Sequence, residues 1–325
     1  MRAHLSLYFK QEDIMKADKD LIIIGAGAAG LSAAQYGSRA NLSVLVIEEL
    51  ASGGQAIVID KLENYPGYPE PITGYDFSQK MEEQAKKFGA EMKYGTVKSI
   101  KKENNLFHIE LASGIITCSA LIIATGAKHK KLGIPGEMEF SGKGVSYCAT
   151  CDGPFFKNKV MLVVGGGDAA CDEAMYLSKI ASKVILVHRR DRFRAQKALA
   201  ERVLKNEKIE VRFNTECQAI TGVDSVNKVK LLNNQSNEVY DQEVGAVFIF
   251  VGSIPQTSFV GEWVDYDEMG YIQTNEHMES KTKGLFCCGD VRNTPFRQLI
   301  VAASEGAIAS HYASQYIDEL SGNSY

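Results

Sequence analysis

The sequence lacks any apolar run long enough to cross a membrane. Its most apolar stretches, LIIIGAGAAGL at 21–31 and GAVFIFVGSI at 245–254, fall short of the roughly 18 residues that a membrane-spanning helix needs. Residues 1–14 also lack the apolar core, about 7–15 residues long, that marks a secretion signal. We therefore expect a cytoplasmic protein with no membrane partner.

An excess of positive charge is missing as well. Lys and Arg total 36 against 40 Asp and Glu, which gives a formal net charge of −4. Nucleic-acid binding needs a concentrated basic surface, so we expect no nucleic-acid partner. The one dense basic run, His188-Arg189-Arg190 with Arg192 and Arg194, is too local for a duplex and needs another explanation.

A paired cysteine framework is also absent. Five of the seven cysteines do not show the spacing of a disulfide framework: Cys118, Cys171, Cys217, Cys287 and Cys288. This argues against a secreted disulfide-rich protein. The other two, Cys148 and Cys151, form a CxxC motif that Asp152 follows directly.

The CxxC motif has three interpretations. A zinc site would need a second close pair of ligands, which the other cysteines and the six histidines do not supply. No metal is therefore predicted. Two small buried core residues remain an alternative. The favoured interpretation is a dithiol, because this spacing lets a disulfide form and lowers the pKa of one thiol. Asp152 is placed to move the proton that this chemistry requires.

What the sequence does contain is two copies of one strand–glycine turn–helix–strand pattern. The first copy has a buried strand at 21–24, the turn Gly25-x-Gly27-x-x-Gly30, a helix at 28–40 and a strand at 43–48. The second copy starts with KVMLVVGGGDAACDEA at 159–174. Short alternating strands follow each copy, and a buried run then closes it.

This repetition predicts an α/β fold with two Rossmann-like dinucleotide-binding domains of three-layer ββα architecture, the second inserted in the first. GLFCCGD at 284–290 reads as one more buried strand after the second copy has ended. We therefore expect an N-terminal extension at 1–18, a first domain at 19–128 and 254–325, and a second domain at 129–253 that carries the CxxC.

The two glycine turns differ in the residue that ends the strand after each helix. A turn of this kind binds a pyrophosphate at the helix N-terminus. Glu48 suits a ribose with free hydroxyls. At the same point of the second copy stand Arg189 and Arg190, followed by Arg194, and arginine is the natural partner of a phosphate dianion. We therefore interpret the second turn as an NADPH site. The first turn is then best interpreted as an FAD site, because FAD accepts a hydride from NADPH.

Seven motifs follow one another along the chain: GAGAAG at 25–30, GGQ at 53–55, ENYPG at 63–67, CATCDG at 148–153, GGGDAA at 165–170, HRRDRFR at 188–194 and GDVRNTPFRQ at 289–298. With these motifs in this order, the sequence resembles the low-molecular-weight thioredoxin reductases over residues 19–325. The resemblance implies a homodimeric flavoprotein that passes electrons from NADPH to FAD, then to Cys148–Cys151, and finally to oxidised thioredoxin. It implies that Cys151 faces the flavin and that Cys148 attacks the substrate disulfide.

The resemblance also implies cofactor contacts. Asp290 corresponds to a residue that binds the ribityl or pyrophosphate region of FAD, and Arg297 and Gln298 would lie beside the ring. The full set of candidate cofactor-binding residues is Gly25, Gly27, Ala28, Ala29, Gly30, Glu48, Gly53, Gly54, Gln55, Asn64, Val97, Gly126, Gly289, Asp290, Arg297 and Gln298 for FAD, and Gly165, Gly167, Asp168, Ala169, His188, Arg189, Arg190 and Arg194 for NADPH. Asp168-Ala169-Ala170 departs from the more usual Asn-Thr-Ala or Asp-Ser-Ala.

Two alternative functions remain. The same relay could reduce a glutaredoxin-like protein, a low-molecular-weight disulfide or a peroxiredoxin partner. A non-catalytic FAD- or zinc-binding protein belongs to a different class, and it would leave HRRDRFR at 188–194 without a purpose beside a nucleotide turn.

Overall fold

The computed structural model describes residues 17–59, 62 and 64–322, and at Val58 and Cys151 it describes the backbone only. Most of the predicted extension at 1–18 therefore lies outside the described residues. The helices of the described chain are α1 (Ala28–Arg39), α2 (Gly74–Lys87), α3 (Ala149–Asp152), α4 (Asp168–Leu177), α5 (Lys197–Leu204) and α6 (Leu299–Leu320). None of these helices is both long and apolar enough to cross a membrane.

Nineteen strands are found in the same part of the chain. They are β1 (Lys19–Ile24), β2 (Val44–Glu48), β3 (Glu91–Tyr94), β4 (Val97–Glu103), β5 (Leu106–Leu111), β6 (Gly114–Ile123), β7 (Ala127–His129), β8 (Val145–Ser146), β9 (Val160–Gly165), β10 (Lys183–His188), β11 (Ile209–Phe213), β12 (Thr215–Gly222), β13 (Val226–Asn233), β14 (Val239–Glu243), β15 (Ala246–Phe250), β16 (Ser253–Pro255), β17 (Asp265–Tyr266), β18 (Ile272–Gln273) and β19 (Leu285–Cys287). Short 3-10 turns lie at Gly54–Val58, Gly153–Phe156, Gly261–Trp263 and Gly289–Val291.

The first sheet has seven strands in the order β3-β2-β1-β6-β5-β4, with β19 also paired to β6. β1 runs parallel to both β2 and β6, so that Ile23 lies opposite Val46 and Ile122. β19 pairs in parallel with the end of β6, although the whole second sheet separates these two strands along the chain. The buried strand predicted in GLFCCGD is confirmed, and it returns the chain to the first sheet.

The second sheet has five parallel strands in the order β11-β10-β9-β15-β8. A separate antiparallel sheet, β12-β13-β14, accompanies it. The chain passes between the two large sheets at two places, and these two passages pair with each other as β7 and β16. This two-stranded ladder is the structural link between the halves of the molecule.

Alternation along the parallel strands gives each large sheet two apolar cores. In β1, Leu21 and Ile23 pack with residues of α1 and α6, whereas Ile22 and Ile24 pack with residues of β4 and β5. In β9, Met161 and Val163 pack with α4, and Leu162 packs with residues of β12 and β13. Helices, parallel sheet and antiparallel strands thus form the three layers that the sequence predicts.

One predicted boundary was wrong. In the first copy, the last of the short alternating stretches, GIITCS at 114–119, and the closing buried run, ALIIATGA at 120–127, predict two separate strands. The structure instead has one continuous strand, β6. Its first half pairs antiparallel with β5, and its second half pairs parallel with β1. The two stretches join directly at Ser119 and Ala120 with no turn between them, so the strand continues from its antiparallel pairing into its parallel pairing.

The pattern Thr73-x-x-Asp76 predicts a capping box at the start of a helix, and the structure confirms it at α2. The Thr73 hydroxyl accepts a hydrogen bond from the backbone N–H of Asp76 at 3.0 Å and donates to the Asp76 carboxylate at 2.8 Å. This reciprocal arrangement satisfies a donor that the first turn of α2 would otherwise leave without a partner.

Candidate functional site

The first glycine turn joins β1 to α1. Gly25 has φ +104°, and a Cβ there would lie 2.4 Å from the backbone oxygen of Ala124. A Cβ on Gly30 would lie 1.8 Å from the oxygen of Gly25. These two positions therefore require glycine, which lets the helix start pack tightly against the strand end.

The N-terminus of α1 is open to a ligand. Gly27 is its N-cap residue, no side chain caps it, and a Cβ on Gly27 would meet no atom within 4 Å. The first N–H groups, which include those of Ala28 and Ala29, can therefore reach a phosphate. An uncapped start of this kind fits the pyrophosphate of a dinucleotide.

Glu48 lies beside this turn, at the end of β2. One carboxylate oxygen accepts from the backbone N–H of Ala26 at 2.7 Å, and the other accepts from Leu50 at 3.1 Å. Val97 begins β4 close by, two residues after Gly95, whose N–H donates to the Glu48 carbonyl. The acid predicted to contact a ribose is thus held next to the glycine turn.

Residues 53–55 form a second wall of the first site. The Gly53 N–H donates to the Ala26 carbonyl at 2.7 Å, so this segment runs directly alongside the glycine turn. Both Gly53 and Gly54 have positive φ, +119° and +54°. The Gln55 amide donates to the carbonyl of Ala127, the residue after Gly126.

A third wall comes from the C-terminal part of the chain. Gly289 has φ +75°, and a Cβ there would lie 2.9 Å from the Cβ of Ala29 at the start of α1. Asp290 follows it, and burial raises the pKa of its carboxyl group, an effect that the nearby Arg297 opposes. The structure therefore brings Asp290 to the first glycine turn across a separation of more than 250 residues.

Asn64, Gln298 and Arg297 extend this wall. The Asn64 side chain donates to that of Gln298 at 3.0 Å, so two candidate residues far apart in sequence meet. The Arg297 guanidinium lies 4.1 Å from the ring centroid of Tyr271. The glycine turn, residues 53–55 and the C-terminal wall thus surround an uncapped helix start, with Glu48 and Asp290 beside it, and this arrangement fits a dinucleotide.

The second glycine turn joins β9 to α4. A Cβ on Gly165 would lie 2.3 Å from the Phe250 oxygen and 2.7 Å from the Cβ of Ala170. Gly167 is the N-cap of α4, no side chain caps it, and a Cβ there would meet no atom within 4 Å. Asp168 and Ala169 then open the helix, so the second turn repeats the geometry of the first.

The arginine segment, defined here as residues 189–194, follows β10 directly. Arg189, Arg190 and Arg194 are exposed. Among the described residues, none of these three takes part in an ion pair. The Arg194 N–H donates to the Gly166 carbonyl at 2.7 Å, which brings the segment to the second glycine turn. Unpaired guanidinium groups beside an uncapped helix start fit a dinucleotide with an additional phosphate.

The CxxC motif lies at α3, which packs against α4. Cys148 is disulfide-bonded. Its backbone N–H donates to the Ser146 hydroxyl at 3.0 Å, and its carbonyl accepts from the N–H of Asp152 at 3.2 Å. Its sulfur lies 3.4 Å from the hydroxyl oxygen of Thr150. The structure describes only the backbone of Cys151, so the predicted role of that thiol lies outside the described side chains.

The remaining cysteines have the properties of core residues. All five are free and buried: Cys118, Cys171, Cys217, Cys287 and Cys288. Burial raises the pKa of Cys171 and of Cys217 to about 12. A thiol with so high a pKa is a poor nucleophile. No group of His, Cys, Asp and Glu among the described residues could hold a metal ion.

Sequence reasoning missed the carboxylate that supports the residue before Cys148. Glu137 is 1% exposed and accepts hydrogen bonds from the N–H groups of Leu132 and Gly133 and from the hydroxyl of Tyr147. Burial acts to raise the pKa of Glu137, but these hydrogen bonds hold it below its usual value. No local pattern marks this residue, because its partners are defined only by the folded loop.

Sequence reasoning also missed a buried ion pair behind Asp290. Glu305 in α6 accepts from Arg292 at 2.5 Å and from the Gly289 N–H at 2.8 Å, and both charged residues are buried. A recognisable pattern was present, since Glu305 is the single charge within the apolar run LIVAASEGAIA at 299–309. A lone charge in such a run indicates a buried partner.

Comparison with known proteins places these features in context. The family described as pyridine nucleotide-disulphide oxidoreductase matches residues 19–306. A thioredoxin reductase of Treponema pallidum is 52% identical over 94% of this chain and 99% of that protein. Among solved structures, Lactococcus lactis thioredoxin reductase in the FR conformation has a TM-score of 0.89 at 41% identity, covering 93% of this chain and 99% of that one. Thioredoxin reductase from Streptococcus pyogenes is 42% identical and covers 93% of this chain and 98% of that one, with a TM-score of 0.64.

Proposed function

The chain belongs to the pyridine nucleotide-disulphide oxidoreductase family, and from that membership we propose that it is a thioredoxin reductase. It passes electrons from NADPH to FAD, then to a Cys148–Cys151 dithiol, and finally to oxidised thioredoxin. The observation that carries this proposal is the disulfide at Cys148, directly before α3, a helix that packs against α4, which begins at the second of two uncapped glycine turns. The relatives named thioredoxin reductase support the choice of acceptor.

Two cofactors occupy the two turns in this proposal. Residues 25–30 and Glu48 hold the adenosine half of FAD, and the 53–55 segment and Asp290 hold its central and flavin parts. The second turn and the arginine segment hold NADPH. When bound, the flavin accepts a hydride from NADPH and passes two electrons onward.

The domains follow from this assignment. Residues 19–128 and 254–325 form the FAD domain, and residues 129–253 form the NADPH domain with the dithiol. The return of β19 to the first sheet supports this division, as does the pairing of β7 with β16 where the chain passes between the two halves.

The dithiol transfers the electrons to the substrate. The Cys148 thiolate attacks one sulfur of the substrate disulfide, the substrate S–S bond breaks, and the released thiolate takes up a proton. The Cys151 thiolate then attacks Cys148, which closes the enzyme disulfide and releases the second substrate sulfur as a thiol. The substrate gains two electrons and two protons, and Asp152 is the group placed to supply a proton.

We also infer that the enzyme is a homodimer in the cytoplasm. The resemblance to thioredoxin reductases supports the dimer. Five free cysteines among the described residues support a reducing compartment. Light scattering of the purified protein measures the oligomeric state directly.

The test of this function is substitution of the dithiol. Cys148→Ser should abolish NADPH-dependent reduction of thioredoxin, because the serine hydroxyl cannot exchange with a disulfide. NADPH should still bleach the yellow flavin, and turnover of a small artificial electron acceptor should persist. Cys217→Ala, in a buried and unreactive cysteine, is the matched control and should retain thioredoxin reduction. Full thioredoxin reduction by Cys148→Ser would contradict the proposed relay.

The same assay separates the acceptors. Thioredoxins of the host organism are compared at steady state with a glutaredoxin-like protein, a low-molecular-weight disulfide and a peroxiredoxin partner. Thioredoxin should give the highest kcat/KM. A higher value for any other acceptor would leave the relay intact and change its substrate.

A further inference from the structure

The arginine segment meets the second glycine turn from both of its ends. At its start, a Cβ on Gly166 would lie 2.4 Å from the ring of His188, which is 8% exposed. At its end, the Arg194 N–H donates to the carbonyl of the same Gly166. Gly166 must therefore be glycine, because a side chain there would clash with the His188 ring. The glycine turn and the arginine segment are thus in direct contact.

Asp168 provides a second contact close to the end of the arginine segment, after the hydrogen bond from Arg194 to Gly166. One carboxylate oxygen accepts from the backbone N–H of Gln196 at 2.7 Å, and the other lies 3.4 Å from the Gln196 side-chain amide. Gln196 is the N-cap of α5, and its own side chain makes no capping bond there. The first residue of α4 thus holds Gln196, which lies two residues beyond the end of the arginine segment.

The outer side of the segment is also fixed. The Asn234 side chain donates to the Arg189 carbonyl at 2.8 Å, and the Asn214 N–H donates to the Arg190 carbonyl at 3.0 Å. The backbone of the segment is therefore anchored on both sides, while its guanidinium groups stay exposed. A segment whose backbone is held in place before a ligand arrives loses less conformational freedom when its side chains bind that ligand.

We propose that Asp168 is a positioning residue that sets the preference for a 2′-phosphorylated coenzyme without contacting that phosphate. It does so through Gln196, which holds the end of the arginine segment against the glycine turn. This inference rests on the proposed NADPH site. It also explains how an acid is tolerated at the helix start that receives a phosphate, because the carboxylate is bonded to the chain behind it.

Binding of two nucleotides distinguishes a positioning role of Asp168 from a direct effect of its negative charge. Binding of adenosine 2′,5′-bisphosphate and of 5′-AMP to the flavin-loaded full-length protein is measured by titration calorimetry. Asp168→Ala should weaken the 2′,5′-bisphosphate about tenfold, the effect of one charge-assisted hydrogen bond, and should leave 5′-AMP within about twofold. If Asp168 acted chiefly as a repelling charge, its removal would tighten both probes, and that result would overturn the inference.

Three further variants complete the design. Asp168→Asn keeps an oxygen for the Gln196 N–H and should restore most of the affinity. Gln196→Pro removes the donor and leaves the acid in place, and the Gln196 φ of −54° suits proline. It should therefore lose affinity for the 2′,5′-bisphosphate as Asp168→Ala does. Asp224→Ala, in an exposed loop aspartate, controls for net charge and should change neither probe.

The outcomes also distinguish this inference from the function on which it rests. If the wild-type protein bound the two probes equally, the NADPH assignment itself would fail, and the inference with it. If the wild type preferred the 2′,5′-bisphosphate and Asp168→Ala kept the whole preference, the NADPH site would stand and only the positioning role would fall.

Discussion

Glu48 ends β2, and Arg189 directly follows β10, the strand that takes the place of β2 in the second half of the molecule. An acid beside the first glycine turn and an arginine beside the second are the difference in charge on which we base the assignment of the two dinucleotides. We predict that Arg189→Ala lowers kcat/KM for NADPH by about 10- to 100-fold, since a charge-assisted hydrogen bond contributes roughly 1.5–3 kcal/mol. The value for NADH should change little.

Arg192 supplies the matched control for this prediction. It lies in the same segment and is also exposed, but it is not among the residues assigned to the phosphate. Arg192→Ala should leave the ratio of NADPH to NADH efficiency near that of the wild type. If Arg189→Ala lowered kcat/KM equally for both coenzymes, this arginine would not be the residue that binds the 2′-phosphate.

Glu173 in α4 gives a prediction about pH. One of its carboxylate oxygens is buried without a hydrogen-bond partner, and burial raises the pKa of the group to about 7. The folded state therefore binds this proton more tightly than the unfolded state, so the ionised group destabilises the fold as pH rises from about 4.5 through 7. Glu173→Gln, which cannot ionise, should be more stable than the wild type at pH 8 by about 1–3 kcal/mol.

Thermal unfolding at pH 5 and pH 8 tests whether ionisation of Glu173 destabilises the fold. The melting temperature of Glu173→Gln relative to the wild type should rise between the two pH values. Glu207→Gln, in an exposed glutamate near α5, should show no such change. A variant that gained stability equally at both pH values would show that ionisation of Glu173 is not the cause.

At the scale of secondary structure, the glycine turns could be predicted because their causes are local. Gly25 and Gly165 need positive φ next to a strand end, and that requirement leaves a recognisable pattern within about ten residues. The parallel strands were equally predictable from their continuous apolar runs. The single strand β6 was not, because both halves look like strands and only the partners on either side show that they are one.

The contacts that hold the site together could not be predicted from the sequence. Glu137 acts through backbone N–H groups of its own loop, Asp168 through the residue before α5, and Glu305 through a 3-10 turn on another element. Each is a polar side chain whose partner depends on how two elements pack. Periodicity and motif spacing do not identify the partner in such a pair, although the lone charge in the apolar run at 299–309 indicates that Glu305 has one.

The Arg292–Glu305 pair joins α6 to the 3-10 turn that carries Asp290. Because both partners are buried, removing one leaves an uncompensated charge. We predict that Glu305→Leu lowers the free energy of unfolding by about 3–5 kcal/mol and weakens FAD retention, since it also leaves the Gly289 N–H without an acceptor. The double variant Arg292→Met with Glu305→Leu should recover much of the stability.

Flavin release, followed by the rise of free-flavin fluorescence on mild heating, measures this effect separately from activity. Lys283→Met with Glu279→Leu, an ion pair whose lysine is exposed, is the matched control and should change flavin release little. A single Glu305→Leu variant that retained FAD as the wild type does would show that the pair does not hold the Asp290 turn.

At the scale of the whole molecule, the feature that matters for catalysis is the relative orientation of the two halves. Two thioredoxin reductase structures of nearly equal identity to this chain differ widely in similarity, with TM-scores of 0.89 and 0.64 over almost the same coverage. Such a difference is expected if the same two units occur in different relative orientations. We propose the ladder of β7 and β16 as the pivot, because Gly126 and Gly252 flank it at φ +64° and +114° and a Cβ on either would meet no atom within 4 Å.

Catalysis requires such a rotation in the proposed relay, because the dithiol and the NADPH site lie in the same half and both must approach one flavin in the other. Hydride transfer needs its reacting atoms within about 3–3.5 Å, so the nicotinamide and the cysteines cannot both be in place at once. We predict that a reducible cross-link between cysteines introduced on the facing surfaces of the halves stops thioredoxin reduction. The locked protein should still perform one half-reaction, either flavin reduction by NADPH or electron exchange between flavin and dithiol, and rapid mixing identifies which. Removing the cross-link should restore turnover. If the locked protein reduced thioredoxin with NADPH at the unlocked rate, rotation would not be part of the mechanism.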